Sequence, residues 1–427
     1  MIFLYRAITN FLYPILICII YFRKIFGKED KFRYKEKIFS KYFDIIKRND
    51  FKLFWFHAAS IGELKSIIPI LNEINNKKEN IEFLITTVTL SSSIIAKEEL
   101  KNIKNVKHRF FPIDVNFIIK KFLSLWKPDA IFLVDSEIWP NLIFNAKEKK
   151  IPIALLNARI TNRTFKRWKL IENFARKIFG AFDICISSNF ETTKYLNYFK
   201  AKRITNAGNL KLVGKIKIDE IKEINEDLLT NERFWFAAST HEGEEKICLE
   251  THLKLKNRYG KILTIIAPRH IDRSSHIKKL CERFKLSYQI IKRNDHIDYQ
   301  KEVIIINAFG VLSNFFKYAK SVFIGKSLIK SLHYNSGQNP IDAAKMGCKI
   351  YHGPYVYNFE EIYEELAQNK ISQVINNSSD LAMNLINDFE NFTKKNEINS
   401  SFLNDLGQKT LDSNMRCINN FLFNENI

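Results

Sequence analysis

The sequence predicts an α/β protein made of two similar halves, each a parallel sheet with helices packed against it. Short apolar runs with strand character alternate with segments of helical periodicity along most of the chain. This alternation lapses once, in a charged stretch that begins at Lys211, and restarts at Phe234. The length of 427 residues is enough for two domains with separate cores.

The chain begins with a strongly apolar segment, in which no residue from Ala7 to Phe22 is charged. Basic residues follow it, beginning at Arg23 and Lys24. At about 1.5 Å per residue the segment falls a little short of a hydrocarbon core of about 30 Å, and Asn10 and Pro14 interrupt it. We interpret residues 1–30 as a membrane anchor that either barely spans the bilayer or lies in its interface. The basic residues favour a cytoplasmic main body, and no small-residue cleavage site follows.

A first domain is predicted over residues 31–210. It opens with a basic helical connector from Lys31 to Asp50. The strand-like runs that follow are Leu53–Phe56, Phe83–Val88, His108–Phe111, Ala130–Val134, Ile153–Leu156 and Ile184–Ser187. Strands that alternate with helices argue for a parallel sheet built from right-handed crossovers.

Residues 211–232 are predicted to be a linker, and residues 233–427 a second domain. Its strand-like runs are Phe234–Ser239, Ile262–Ala267, Val303–Ile306, Val322–Ile324 and Lys349–Tyr351. The last helical stretch is a candidate to cross back to the first domain. Since neither a GxGxxG fingerprint nor a P-loop is present, the leading fold is a pair of Rossmann-like domains facing across a cleft. This is the GT-B type of many sugar-nucleotide glycosyltransferases, and the fold alone does not establish the chemistry.

The formal charge of +21 implies attraction to polyanions. The sequence has no zinc-finger spacing, no aromatic ribonucleoprotein motif and no basic helix with heptads, so nucleic acid is not a predicted partner. An anionic membrane surface or a phosphorylated lipid fits the charge, and the apolar amino terminus favours it. The six cysteines lack paired spacing for zinc or a redox dithiol, which suits a reducing compartment.

The stretch His57-Ala58-Ala59-Ser60-Ile61-Gly62-Glu63 joins a buried strand to a helix. This position places Glu63 at the carboxyl end of a sheet, where open α/β folds bind ligands. A carboxylate there can take a proton from a bound hydroxyl. Taken alone, a Glu in the first turn of a helix is more often only favourable to the helix dipole.

Other polar motifs also follow predicted strands. They are Asp135-Ser136-Glu137-Ile138-Trp139-Pro140-Asn141, Asn157-Ala158-Arg159, Ser239-Thr240-His241-Glu242-Gly243-Glu244-Glu245 and Pro268-Arg269-His270, while Gly337-Gln338-Asn339-Pro340-Ile341-Asp342 opens a helix. Each has a structural explanation, such as helix capping. Structural roles such as capping do not readily explain why these motifs occur at strand ends in both halves. Their positions therefore favour a functional site.

Together these motifs resemble the bacterial 3-deoxy-D-manno-octulosonic acid (Kdo) transferase family, which moves Kdo from CMP-Kdo onto the lipid A precursor in lipopolysaccharide synthesis. The resemblance covers nearly the whole chain, with several motifs in the same order. It implies an inverting transferase at the cytoplasmic face of the inner membrane. The implied partners are CMP-Kdo, the lipid A precursor lipid IVA and the membrane surface, with no cofactor.

The resemblance also assigns roles to residues. Glu63 is the implied proton acceptor, and Glu137 and Lys211 are the implied stabilisers of the transition state. The implied CMP contacts are Pro268, Arg269, Gly310, Val311, Leu312, Asn339, Pro340, Ile341 and Asp342. Asp135-Ser136-Glu137 superficially matches a D-x-D metal motif, but the corresponding family segment holds no metal, so none is expected. Amides near Thr240 and His241 are further candidates to stabilise the donor phosphate.

The sequence departs from the family pattern around the implied nucleotide site. Asn307-Ala308-Phe309-Gly310-Val311-Leu312 replaces Asp-Thr-x-Gly-Glu-Leu, and Gly325-Lys326-Ser327 replaces Gly-Gly-Ser. Gln338 stands for a His, and Asp342 for a longer Glu. We therefore expect weaker donor binding. Three alternatives stay open. The first is another twin-Rossmann sugar-nucleotide enzyme, such as an epimerase or a lipid-disaccharide synthase. The second is a catalytically decayed membrane-associated binding protein, and the third is non-specific binding of nucleic acid.

Overall fold

The chain divides into two compact units in the computed structural model. Unit 1 comprises Met1–Gly214 and Leu406–Ile427, and unit 2 comprises Lys215–Asp405. The structure describes residues 1–43, 50–77, 80–214, 229–230, 232–293, 295–331, 336–391 and 397–423. Most of the predicted linker, namely residues 215–228 and 231, therefore lies outside the described residues.

Unit 1 contains a seven-stranded parallel sheet with the order β3-β2-β1-β4-β5-β6-β7. Its strands are β1 (Lys52–His57), β2 (Ile81–Thr87), β3 (Val106–Phe110), β4 (Ala130–Val134), β5 (Ile153–Ala158), β6 (Ile184–Ser187) and β7 (Ile204–Asn206). The six predicted strands are confirmed, with ends that differ by at most two residues. The three-residue edge strand β7 is not among the predicted strands.

Nine helices of unit 1 precede or connect these strands in the described residues. They are α1 (Ile2–Phe11), α2 (Tyr13–Ile25), α3 (Ile61–Lys77), α4 (Leu90–Glu99), α5 (Asn116–Trp126), α6 (Pro140–Glu148), α7 (Asn162–Lys169), α8 (Glu172–Phe179) and α9 (Phe190–Tyr198). The sheet is covered on both faces: Leu53 and Trp55 of β1 pack into one core, and Phe54 and Phe56 pack into the other. Burial of both faces explains why the strands read as continuous apolar runs.

The predicted helical connector from Lys31 to Asp50 is wrong in its described part. Two short 3-10 turns, Arg33–Lys37 and Ser40–Tyr42, replace a helix there, and residues 44–49 lie outside the described residues. The physical reason is tertiary contact: buried Glu36 accepts hydrogen bonds from Arg33 at 2.8 Å and from the Phe110 N–H at 3.0 Å. The segment is thus bound to the end of β3.

Unit 2 contains a second seven-stranded parallel sheet with the order β10-β11-β9-β8-β12-β13-β14. Its strands are β8 (Phe234–Thr240), β9 (Leu263–Pro268), β10 (Tyr288–Ile291), β11 (Val303–Ile306), β12 (Ser321–Ile324), β13 (Lys349–His352) and β14 (Ser372–Val374). All five predicted strands are confirmed. The two that were missed, β10 and β14, are the short edge strands.

The helices of this second half, within the described residues, are α10 (Glu244–Tyr259), α11 (Ser274–Arg283), α12 (Leu312–Tyr318), α13 (Ile341–Lys345), α14 (Glu360–Gln368), α15 (Ser378–Asn391) and α16 (Glu397–Phe423). The long α16 begins in unit 2 and ends in unit 1. Its Leu411, Met415 and Ile418 are buried in the core on one face of the first sheet.

In each sheet the strand order reverses next to the first strand of that sheet. The reversal lies between β1 and β4 in unit 1 and between β8 and β12 in unit 2. In open α/β sheets the crevice at the carboxyl ends of such strands is the usual ligand site. The loops that follow these strands are therefore the candidate positions of a ligand-binding or active site.

The apolar amino terminus forms two short helices. Among the described residues, no single helix is both long and apolar enough to cross a membrane. The consecutive pair α1 and α2, bent by 54° at the break, meets the length and composition criteria only when both helices are counted together.

Candidate active site

Glu63 lies in the first turn of α3, directly after the turn that ends β1. Its two carboxylate oxygens accept hydrogen bonds from the Ser60 hydroxyl at 2.8 Å and from the Ala59 N–H at 2.7 Å. The Glu63 N–H in return donates to Ser60 Oγ at 3.3 Å. This arrangement is a variant of the capping box. The carboxylate that is the candidate proton acceptor therefore also caps α3.

Two further carboxylates lie near Glu63 at the reversal point of the sheet. Burial raises the pKa of Glu63, and the negative charges of Asp135 and Glu137 raise it further. The hydrogen bonds from Ser60 and Ala59 act in the opposite direction but do not cancel this effect. A carboxylate with a raised pKa is a stronger base, which suits a proton acceptor.

Glu137 is held by two side chains that the sequence analysis did not assign to the site. Its Oε2 atom lies 3.2 Å from His57 Nε2 and 2.8 Å from Trp139 Nε1. His57 is fully buried and stacks on Phe111 with ring centroids 3.8 Å apart. Glu137 is therefore fixed in orientation before any substrate binds.

The ring of His57 is held at both of its nitrogen atoms. Trp55 Nε1 donates to Thr86 Oγ1 at 2.9 Å, and Thr86 Oγ1 lies 3.0 Å from His57 Nδ1. The same Nδ1 lies 3.1 Å from the Thr86 carbonyl oxygen, and Nε2 lies 3.2 Å from Glu137 Oε2. A buried chain of hydrogen bonds thus runs from Trp55 to the candidate carboxylate.

Lys211 forms an ion pair with Asp135, with 2.7 Å between Nζ and Oδ2. The backbone around Lys211 is held by two asparagines, since Asn209 Oδ1 accepts the Lys211 N–H at 3.0 Å and Asn157 Oδ1 accepts the Leu210 N–H at 2.9 Å. Asp135 and Asn157 have φ values of 63° and 53° at the ends of neighbouring strands. Left-handed conformations of residues other than glycine are uncommon and are concentrated at functional sites.

The structure therefore brings the three predicted residues Glu63, Glu137 and Lys211 close to one another. Lys211 pairs with Asp135, and the charges of Asp135 and Glu137 both raise the pKa of Glu63. The structure adds His57, Trp139 and Asn157 as side chains that hold them. Each of these residues stands within a motif singled out in the sequence, but nothing in their spacing indicates which of them pair.

The predicted nucleotide contacts lie in unit 2, after three of its parallel strands. Pro268 ends β9, and Arg269 follows with an exposed side chain. Gly310, Val311 and Leu312 follow β11, and Asn339, Pro340, Ile341 and Asp342 lead into α13 after β12. Because the carboxyl ends of parallel strands lie at one edge of a sheet, all these residues belong to the same edge.

Local geometry accounts for several of these positions. Gly310 has a φ of 76°, Val311 is buried, and Asn339 Oδ1 accepts the Ile341 N–H at 3.1 Å. The His241 amide differs from its prediction as a phosphate donor, because it donates to Glu244 Oε2 at 2.9 Å. It is therefore not a free donor for a phosphate.

Comparison with known proteins identifies the family. A family model described as 3-deoxy-D-manno-octulosonic-acid transferase (kdotransferase) matches residues 32–213. A 3-deoxy-D-manno-octulosonic acid transferase from Rickettsia bellii is 30% identical over 98% of this chain and 99% of its own length. The chain belongs to the Kdo transferase family.

Other comparisons agree with this assignment. The Kdo transferase of Aquifex aeolicus is 29% identical over 78% of this chain and 84% of its own length. The crystal structure of UDP-GlcNAc 2-epimerase from Neisseria meningitidis has a TM-score of 0.59 at 12% identity, covering 88% of this chain and all of that one, which shows a shared twin-Rossmann fold. The predicted enzyme class, a CMP-Kdo-dependent glycosyltransferase, is confirmed.

Replacing Asp135 is expected to change the pH dependence of this Kdo transferase. If Glu63 must be deprotonated to act, kcat/KM falls on the acid side as Glu63 gains a proton. Asp135→Asn removes a negative charge that raises the pKa of Glu63 and releases Lys211 from its ion pair. Both effects lower the pKa of Glu63, so the acid limb of kcat/KM should move to lower pH.

The control for this measurement is Glu172→Gln, which removes a partly exposed carboxylate paired with Arg176 within α8. Its acid limb should coincide with that of the wild type. An acid limb that stays in place in Asp135→Asn would show that Glu63 does not control it.

Proposed function

We propose that this protein is an inverting transferase that moves Kdo from CMP-Kdo onto lipid IVA, the lipid A precursor. The observation that carries the proposal is the group formed by Glu63, Asp135, Glu137 and Lys211 at the reversal point of the first sheet. It provides a base with a raised pKa beside a fixed carboxylate and a fixed cation. A base that accepts the proton of the alcohol, and fixed charges near the reacting atoms, both assist transfer to an alcohol.

In this proposal Glu63 takes the proton of the attacking hydroxyl group of the acceptor. The hydroxyl oxygen forms a bond to the anomeric carbon of Kdo, and the bond from that carbon to the CMP phosphate oxygen breaks. CMP leaves with the bonding electron pair. Attack from the face opposite the phosphate inverts the configuration at the anomeric carbon.

Glu137 and Lys211 are proposed to stabilise the charges that develop in this step. The ketose centre gains oxocarbenium character while negative charge grows on the leaving phosphate. Groups that are already oriented need no reorganisation as these charges form. The support is that His57 and Trp139 hold Glu137, and that Asn157 and Asn209 hold the turn carrying Lys211.

Pro268, Arg269, Gly310 to Leu312 and Asn339 to Asp342 are proposed to bind the CMP part of the donor. We propose no metal ion for the step, since Asp135 already pairs with Lys211 and Glu137 with His57 and Trp139. Carboxylates with protein cations and donors as partners are poorly placed to bind Mg²⁺ as well.

The amino-terminal helices are proposed to bind the cytoplasmic face of the inner membrane, lying in the interface rather than spanning the bilayer. One side of them is bound to unit 1: Tyr5 Oη donates to Asp114 at 3.0 Å, and Tyr13 Oη donates to the Ile38 carbonyl at 2.7 Å. The other side exposes large apolar residues, namely Phe3, Leu4, Ile8, Phe11, Leu12, Ile15, Ile19, Tyr21, Phe22 and Ile25. Helices with an exposed apolar face and nearby basic residues are typical of interfacial binding.

Removing exposed aromatic residues from α1 should release the protein from membranes. Phe3 and Phe11 are each 81% exposed. We expect the double variant Phe3→Asp/Phe11→Asp to bind vesicles of phosphatidylethanolamine and phosphatidylglycerol at least about tenfold more weakly, because each Phe contributes about 1.5–3 kcal/mol when buried. Sedimentation with vesicles measures this.

Phe190→Asp is the matched control, since Phe190 is 76% exposed but lies at the start of α9. It should bind vesicles as the wild type does. If the double variant bound vesicles as strongly as the wild type, α1 would not be part of the membrane-binding surface.

A single assay tests the proposed function. The purified protein is mixed with CMP-Kdo generated in place and with lipid IVA, and the products are read by mass spectrometry. We expect Kdo to be added to lipid IVA, and we expect the reaction to continue in EDTA. Absence of product with lipid IVA, or a strict need for Mg²⁺ or Mn²⁺, would contradict the corresponding part of the proposal.

A further inference from the structure

Three neighbouring strands of the second sheet are followed by basic residues. Arg269 and His270 follow β9, His241 follows β8, and Lys326 follows β12. The rings of His241 and His270 are 5.9 Å apart, and the Arg269 N–H donates to the Thr240 carbonyl at 3.0 Å. These basic residues therefore lie around the reversal point between β8 and β12.

The cationic groups are not neutralised by nearby acids. Within the described residues, the side chains of Arg269, His270 and Lys326 form no ion pair and no hydrogen bond. His241 uses one ring nitrogen, Nδ1, at 3.1 Å from the Ser239 carbonyl. This edge of the sheet thus carries free positive charge.

Glu244, the buried carboxylate at this edge, binds backbone amides instead of these cations. Its Oε2 accepts the N–H groups of His241 at 2.9 Å and Lys326 at 2.7 Å. Its Oε1 accepts those of Ser327 at 2.8 Å and Leu328 at 3.0 Å. Glu244 therefore fastens the end of β12 to the end of β8 and sets where Lys326 stands.

The backbone of Lys326 is also constrained from the opposite side. The Gly337 N–H donates to the Lys326 carbonyl at 2.7 Å, two residues before Asn339. Lys326 itself has a φ of 58°, a conformation that costs energy for any residue with a Cβ. The chain is thus held so that Lys326 lies between the end of β8 and the segment that leads to Asn339.

The half-buried positions of Lys326 and His241 make their positive charges unfavourable without an anion. Burial lowers the pKa of Lys326, and the charge of Arg269 lowers it further. Burial likewise lowers the pKa of His241 to about 4, with contributions from Lys326, His270 and Arg269. A bound anion would remove this mutual repulsion.

We propose that Lys326 is a further donor-binding residue, which with Arg269 binds an anionic group of CMP-Kdo, and that Glu244 positions it. The donor carries two such groups, the phosphate of CMP and the carboxylate of Kdo. Both are recognised by cations through charge-assisted hydrogen bonds. This inference rests on CMP-Kdo as the donor, but it does not depend on the identity of the acceptor.

Lys326→Met, which keeps most of the length of the side chain but not its charge, tests the proposal on the full-length protein. If Lys326 binds the phosphate, Kd for CMP measured by calorimetry should rise about ten- to hundredfold, while Kd for cytidine stays unchanged. If it binds the Kdo carboxylate, Kd for CMP stays unchanged and Kd for CMP-Kdo, measured by calorimetry without an acceptor, rises by that factor. Wild-type values for both quantities would overturn the proposal.

Two further variants separate the charge from the backbone. Lys326→Gly removes the charge and accepts the positive φ without cost, so it should weaken binding as Lys326→Met does. Lys370 also has a φ of 58° and is exposed, so Lys370→Gly is the matched control and should bind CMP and CMP-Kdo as the wild type does.

Glu244→Gln tests the positioning role. When Lys326 is present, Glu244→Gln should raise the same dissociation constant that Lys326→Met raises. In the Lys326→Met background it should have no further effect. Equal losses in both backgrounds would overturn the role of Glu244. CMP binding is measured without an acceptor, so a failure of the lipid IVA assay would leave this test readable.

Discussion

Glu63→Gln is expected to lower the rate of Kdo transfer by about 10²–10⁴-fold, the usual contribution of a general base. The amide is nearly the same size as the carboxylate but cannot accept a proton at neutral pH. Its oxygen can still accept the Ala59 N–H, so α3 should keep most of its cap. The turnover of CMP-Kdo with lipid IVA, together with Kd for CMP, measures the effect.

A capping role alone predicts a different result, and Ser60→Ala distinguishes the two. This variant removes the hydroxyl that donates to Glu63 and accepts its N–H, which should cost about 1 kcal/mol of stability. The carboxylate and its neighbours Asp135 and Glu137 remain. Ser60→Ala should therefore unfold at a lower temperature but stay active, whereas Glu63→Gln should fold normally and be inactive. Full activity of Glu63→Gln would reduce Glu63 to a helix cap.

Most of the fold was predictable because its strands are buried on both faces. β1, β4 and β11 are short apolar runs bounded by polar residues, and such runs need no partner to be recognised. The edge strands β7, β10 and β14 were missed because they have only three or four residues and carry exposed or partly exposed polar side chains. Pairing with a neighbour, rather than local composition, makes them strands.

The site was predictable as a set of residues but not as a set of pairs. Glu63, Glu137 and Lys211 follow from motifs at strand ends. The contact between His57 and Glu137 joins residues 80 positions apart, and the ion pair between Asp135 and Lys211 joins residues 76 apart. No spacing in one sequence indicates such contacts. The same holds for Glu244, which reads as an ordinary first-turn acid and in fact holds the segment from Lys326 to Leu328.

Lys211→Met is expected to lower kcat by about 10²–10³-fold, the usual loss when one donor aimed at developing charge is removed. Loss of the lysine also leaves Asp135 without its partner, and its side chain is only 8% exposed. The uncompensated carboxylate should lower the melting temperature. It also leaves more negative charge beside Glu63, which raises the pKa of Glu63 further and moves the acid limb of the pH profile upward.

The double variant Lys211→Met/Asp135→Asn separates catalysis from stability. Replacing both partners removes the unpaired charge, so the melting temperature should return towards that of the wild type. The activity should not return, because the cation proposed to stabilise the leaving phosphate is still absent. Recovery of activity together with stability would show that Lys211 serves only to neutralise Asp135, and the charge on the departing CMP would then have to be stabilised by other groups.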